Sequence, residues 1–163
     1  MADKVTFSLQ FSHELEKLLK GNPRPIDSDT ASDIGTEIIK QMKSRIAAGI
    51  SPIDGRGKFE RYKDPKKYPG KQKPKSPVNL ELTGKFLDAL SYELKSGDSG
   101  VETYIYYSGD KENLKEKGHR VGANGQPSRP TIPGNGEKFD AVITKTFTDI
   151  YKKRILDVLK GKG

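Results

Sequence analysis

All ten prolines of this 163-residue chain fall in three clusters: Pro23 and Pro25; Pro52, Pro65, Pro69, Pro74 and Pro77; Pro127, Pro130 and Pro133. Proline fixes φ and removes an amide donor, so regular structure is pushed into the stretches between clusters. Residues 4–12 alternate, with Val5, Phe7, Leu9 and Phe11 on one side, which predicts a half-buried strand. Residues 13–20 carry Leu15, Leu18 and Leu19 and predict a short helical turn. Residues 30–48 predict a helix with one stripe of Ile34, Ile38, Met42 and Ile46, closed by Gly49 in a left-handed conformation. Further on, Phe86, Leu87, Leu90 and Leu94 fit a helix over about 83–95. Residues 101–108 predict a strand with Val101, Thr103, Ile105 and Tyr107 on one face and Tyr104 and Tyr106 on the other. A short helix over 110–117 is expected to stop at Gly118, ahead of a Gly/Pro-rich loop over 122–136. The last periodic segment, 137–160, carries Phe139, Ile143, Phe147, Ile150 and Val158. Helices and strands mix without a βαβ rhythm. The fold class expected is α+β, a small, mostly antiparallel sheet with helices packed on it, in a single domain over 1–163.

Charge is concentrated in one place. Residues 51–77 hold nine Lys and Arg against three Asp and Glu, and so carry six of the eight net positive charges. Arg56, Lys58, Arg61, Lys66 and Lys67 are interleaved there with Phe59, Tyr62 and Tyr68. A Pro/Gly-rich insertion of this length, placed between two predicted helices, has three readings: an arm that docks on a neighbour, a solvated loop, or a nucleic-acid contact. Only 32% of residues are hydrophobic, which agrees with part of the chain lying outside the core. The opening MADKVTFSLQF lacks the apolar run of a signal peptide, so a cytoplasm-like compartment is expected.

Catalytic sets are hard to assemble from this composition. There is no cysteine, and His13 and His119 are the two histidines. Asp27-Ser-Asp29-Thr-Ala31 begins like a calcium loop but lacks its later ligands, and reads as an acidic helix start. Gly122-Ala-Asn-Gly125 and Gly134-Asn-Gly136 have the composition of anion nests without the spacing of a phosphate loop, and read as turns. His119 beside Arg120 is a candidate base with no motif partner, and reads as a histidine that closes a helix or loop. No cofactor, metal site or catalytic residue is expected.

The run Gly49-Ile-Ser-Pro-Ile-Asp-Gly-Arg-Gly-Lys-Phe-Glu-Arg-Tyr62 resembles the stretch after the first long helix of bacteriophage tail-completion and virion-morphogenesis proteins. Val78-Asn-Leu-Glu-Leu-Thr-Gly-Lys-Phe-Leu87 is similar to that family's next helix start, and His119-Arg-Val-Gly122 with Pro127-Ser-Arg-Pro-Thr-Ile-Pro133 to its ending. The resemblance implies a non-enzymatic neck or tail-terminator protein, made in the host bacterial cytoplasm and incorporated into the virion. It implies partners as well: copies of itself in a six-fold ring, and neighbouring connector and tail-tube proteins. DNA is the secondary partner and no membrane is involved. Arg56, Lys58, Phe59, Arg61, Tyr62, Lys66, Lys67, Tyr68 and Arg129 are then the expected interface, with Arg129, between Pro127 and Pro130, expected either to position a loop or to pair with a neighbour. Asn79, Thr83, Gly84, His119 and Gly122 are expected to serve the fold, with Thr83 as a helix cap. Basic nucleic-acid binding through 51–77 is the alternative.

Overall fold

The computed structural model describes residues 5–6, 27–61, 78, 80, 84–97 and 100–160. The architecture is α+β. Strand β1 (Val5–Thr6) is followed by helix α1 (Ser28–Ala47), one-turn helix α2 (Lys85–Asp88), strands β2 (Leu90–Gly97) and β3 (Gly100–Tyr107), helix α3 (Asp110–Val121) and helix α4 (Ala141–Leu159). The sheet is antiparallel in the order β1-β3-β2, with Val5 opposite Ile105, Leu90 opposite Tyr107 and Leu94 opposite Thr103. The rest of the strand expected over 4–12, and the turn over 13–20, lie outside the described residues.

Helix α1 organises the core. Its cap is Asp27, whose Oδ1 accepts from the Thr30 amide at 2.7 Å, so the acidic start read from sequence is a capping device. Ile34, Ile38, Met42 and Ile46 are buried, each contributing roughly 2 kcal/mol by leaving water. Gly49 ends the helix at φ 75°, as expected. Helix α1 packs on β2, β3 and α4. Gly35 is what brings α1 down onto β2: a Cβ there would lie 2.6 Å from the Tyr92 ring, whose hydroxyl bonds Ser32 and Thr36.

Three sequence expectations are corrected. The helix expected over 83–95 is one turn long and gives way to a strand, because Leu90, Tyr92 and Leu94 find partners across β3 and tertiary pairing overrides local period. Helix α3 does not stop at Gly118 but runs to Val121 and closes on Gly122, since a single glycine costs a helix only about 1 kcal/mol. Helix α4 begins at Ala141, where Asp140 Oδ1 accepts from the Val142 and Ile143 amides at 3.1 Å each. Its buried stripe is Ile143, Phe147, Tyr151 and Ile155, while Ile150 is half-buried and Val142 exposed. Among the described residues, no helix is long and apolar enough to cross a membrane.

Candidate functional site

The basic segment was expected to leave the domain at Ser51. Instead the chain stays in the fold for several residues more. Ser51, Pro52 and Ile53 are buried, Ile50 bridges Lys58, and Ile53 bridges Phe139. The Asp54 amide donates to the Lys138 carbonyl, and the Asp140 amide to the Pro52 carbonyl, at 2.9 Å each. Residues 51–59 are thus a sealed loop at the root of the basic segment. Tyr62, Lys66, Lys67 and Tyr68 lie beyond it, outside the described residues, as do Asn79 and Thr83.

Arg129 fastens this root. It is 1% exposed, and its guanidinium donates from Nε to the Glu60 carbonyl at 2.9 Å and from a terminal nitrogen to the Arg61 carbonyl at 3.0 Å. Its backbone amide donates to the His119 carbonyl, and the Ser51 hydroxyl to the Pro130 carbonyl. Of the roles expected for Arg129 the structure shows the loop-positioning one, and its place in an exposed interface is corrected, because its fork is consumed by backbone inside the subunit. His119 packs on Phe86 with ring centroids 5.4 Å apart, and Phe86 stacks on Tyr107 at 4.5 Å. Gly84 precedes α2 with φ 78°, a turn position. Gly122 is at φ 69°, and a Cβ there would sit 2.4 Å from the Gln126 carbonyl oxygen, so the α3 exit requires glycine.

Beneath the loop runs a polar network that sequence reasoning missed. Glu116 is buried, and its carboxylate accepts from the Thr131 amide (3.0 Å), the Ile132 amide (3.3 Å) and the Thr131 hydroxyl (2.5 Å). Thr131 in turn accepts from the Tyr107 hydroxyl at 2.7 Å. Arg120 lies 3.6 Å from Glu116, donates to the Ile132 carbonyl, and pairs with Glu137 at 3.0 Å. Glu137 also accepts from Arg56 (2.6 and 2.9 Å) and from the Gly134 amide (2.7 Å). Burial raises the Glu116 carboxyl above its ordinary value, against the pull of Thr131, Ile132 and Arg120. Burial pushes Glu137 upward too, but the Gly134 amide, Arg56 and Arg120 outweigh it and hold this carboxyl down at about 2.

The two acids have opposite consequences for pH. Glu137 contributes stability in full above its ordinary value of 4.5, and loses it as pH falls toward about 2. Because the side chain is a quarter exposed, the loss is expected to be about 2 kcal/mol. Acid titration of the wild type against Glu137→Gln checks this. The variant's stability should be flatter over that window, and parallel curves would refute the assignment.

Of the expected interface cations, Arg56 is occupied by Glu137, whereas Lys58 and Arg61 are exposed. Phe59 is half-buried and packs against the core rather than standing free as an anchor. Ser51, Arg56, Lys58, Phe59, Ser128 and Pro130 line a cleft of about 250 Å³. Among the described residues, no three His, Asp or Glu side chains gather as a metal-ligand set.

No family model, curated protein or solved structure matches this chain. The reading of its role therefore rests on the motif segments and on how they meet. Arg129 and His119 lay within the motifs read from sequence. Arg120 and Thr131 lay within those motifs too, without a role of their own, whereas Glu116 and Glu137 carried no signal beyond the four-residue spacing of Glu116 and Arg120 on one helix face.

Proposed function

We propose that this chain is a structural assembly protein of a tailed bacteriophage, working at the neck or head-proximal tail end, where copies of it form or complete a ring joining the tail to the head-side connector. The observation that carries the reading is convergence. Three motif segments far apart in sequence meet at one place, through Arg129 on the 60–61 backbone, Ser51 on Pro130, and Phe86 on His119. Their polar groups are engaged inside the subunit, which suits motifs that build a fixed platform rather than turn over a substrate. The platform holds the root of the basic segment, and that segment supplies contact to a neighbouring copy or ring.

The test is to replace residues 63–76, with their six lysines, by a Gly/Ser sequence of equal length. The variant should keep its fold to within about 0.5 kcal/mol, and lose ring formation in negative-stain images and solution mass. Normal rings from the variant would overturn the role given to the segment. A second reading, nucleic-acid binding, is favoured by the charge concentrated in 51–77 together with the exposure of Lys58 and Arg61 at its root. Under that reading the wild type binds DNA with affinity that falls steeply with salt, and the same replacement removes the salt dependence.

A further inference from the structure

The cleft at the root of the basic segment gathers cations from two parts of the chain. Arg56 and Lys58 reach it from the 51–59 loop, and Arg129 from the proline-rich run that follows α3. One acid, Glu60, lines it with them, so three cations face one carboxylate. A cleft lined mainly by one sign of charge focuses its field and concentrates counter-ions.

Two of these cations are held still. Nε and a terminal nitrogen of Arg129 end on the Glu60 and Arg61 carbonyls. Nε and one terminal nitrogen of Arg56 end on Glu137, an acid that Arg56 shares with Arg120. One carboxylate divided between two guanidinium groups leaves Arg56 only partly neutralised. The other terminal nitrogen of Arg56 makes no hydrogen bond among the described residues, and neither does the exposed ammonium of Lys58. Arg56 is thus pinned along one edge while a further donor stays open, which lowers the ordering cost of capturing a ligand.

Size and charge select the ligand class. A volume of about 250 Å³ equals roughly eight waters at ~30 Å³ each, enough for a tetrahedral oxyanion with part of its hydration shell. The hydroxyls of Ser51 and Ser128 also line the cleft, but they donate to the Pro130 and Arg120 carbonyls, so the charged groups decide what it takes. A cation is repelled, and a single carboxylate meets half of the excess of two positive charges. A phosphate group, with a charge of about −1.5 to −2 near neutral pH and several strong acceptor oxygens, meets all of it.

We propose that this cleft is a phosphate site, filled either by free phosphate or by a phosphate of a nucleic-acid backbone. Lys58 and the open nitrogen of Arg56 are its contacts, Arg129 is the fixed charge in its wall, and Glu60 is an opposing charge that limits affinity. The inference goes beyond the ring reading and does not depend on it, because all four groups lie outside residues 63–76.

The test is calorimetric titration of the full chain with inorganic phosphate, in chloride at a constant ionic strength of about 0.15 M. The wild type should saturate with a Kd of about 1 mM or tighter. Lys58→Gln should weaken binding about tenfold, and Glu60→Gln should tighten it about threefold. The chain with residues 63–76 replaced by Gly/Ser should bind phosphate within about threefold of wild type, since most of the removed charge is screened at that salt. A single-stranded oligodeoxynucleotide of about ten nucleotides separates the two sources. Displacement of phosphate by the oligonucleotide assigns the cleft to a backbone phosphate, and failure to displace it assigns the cleft to the free ion; either upholds the site. No saturation by about 10 mM phosphate, an affinity indifferent to both substitutions, or binding that vanishes with the 63–76 replacement would overturn the proposal. A chain that binds phosphate in this way but never forms rings overturns the ring reading and leaves the site standing.

Discussion

Replacing Arg129 with alanine is expected to destabilise the chain by about 3–4 kcal/mol and to release residues 51–61 from the body of the fold. The side chain is buried, and two of its donors end on the Glu60 and Arg61 carbonyls. Truncation strips both bonds, each charge-assisted and worth about 1.5–3 kcal/mol, and leaves a void. For a chain of this size the melting temperature should fall by roughly 10 °C. Trypsin should then reach Lys58 and Arg61 faster than in the wild type. Arg129→Lys should recover less than half of the loss, because an ammonium group cannot span two carbonyls as a planar fork does. An alanine variant within about 0.5 kcal/mol of wild type would show that the root is held by the Ile50 and Ile53 bridges instead.

Glu116→Ala is the second large effect, expected at about 3 kcal/mol. The carboxylate collects two backbone amides and one hydroxyl in a buried site, so its removal strands three donors at once and leaves Arg120 with one acid fewer. Glu116→Gln keeps one acceptor and should cost less, with a pH dependence that identifies the group. Because burial raises the folded-state value of Glu116, its contribution is complete below its ordinary value of 4.5 and is lost as pH rises through the raised one. The stability gap between wild type and Glu116→Gln should therefore narrow as pH rises from below 4.5 through the raised value. A gap that widens with pH would mean that the carboxylate, not the acid, is the favoured form. Denaturant titrations at the two ends of that range decide the point.

Where periodicity and chemistry agreed, the sequence was readable. The α1 stripe recurs every four residues and ends on a glycine, so local signals and burial coincide. The 90–97 strand was misread because Phe86, Leu87, Leu90 and Leu94 satisfy a helical period, while Leu90, Tyr92 and Leu94 equally satisfy a period of two. The choice is made by β3, a partner that no local window contains. At the site, Arg129 could be read as a residue that positions a loop, but its acceptors could not. They are backbone carbonyls, and a carbonyl has no signature in a sequence. Glu116 was silent for a similar reason. In a helix that also holds Glu112, Lys115 and Lys117, a buried acid is written with the same letter as an exposed one.

The bridge between Ile53 and Phe139 bears on the order of events during synthesis. Residues 52–54 find their backbone partners at 138–140, so for the interval in which the intervening chain is made they have none of these bonds. Closing so long a loop is entropically slow, so these bonds come late. The Ile53 side of the root is thus seated only after residues 138–140 have left the ribosome, and a product cut before them presents the basic segment on a platform that lacks those bonds.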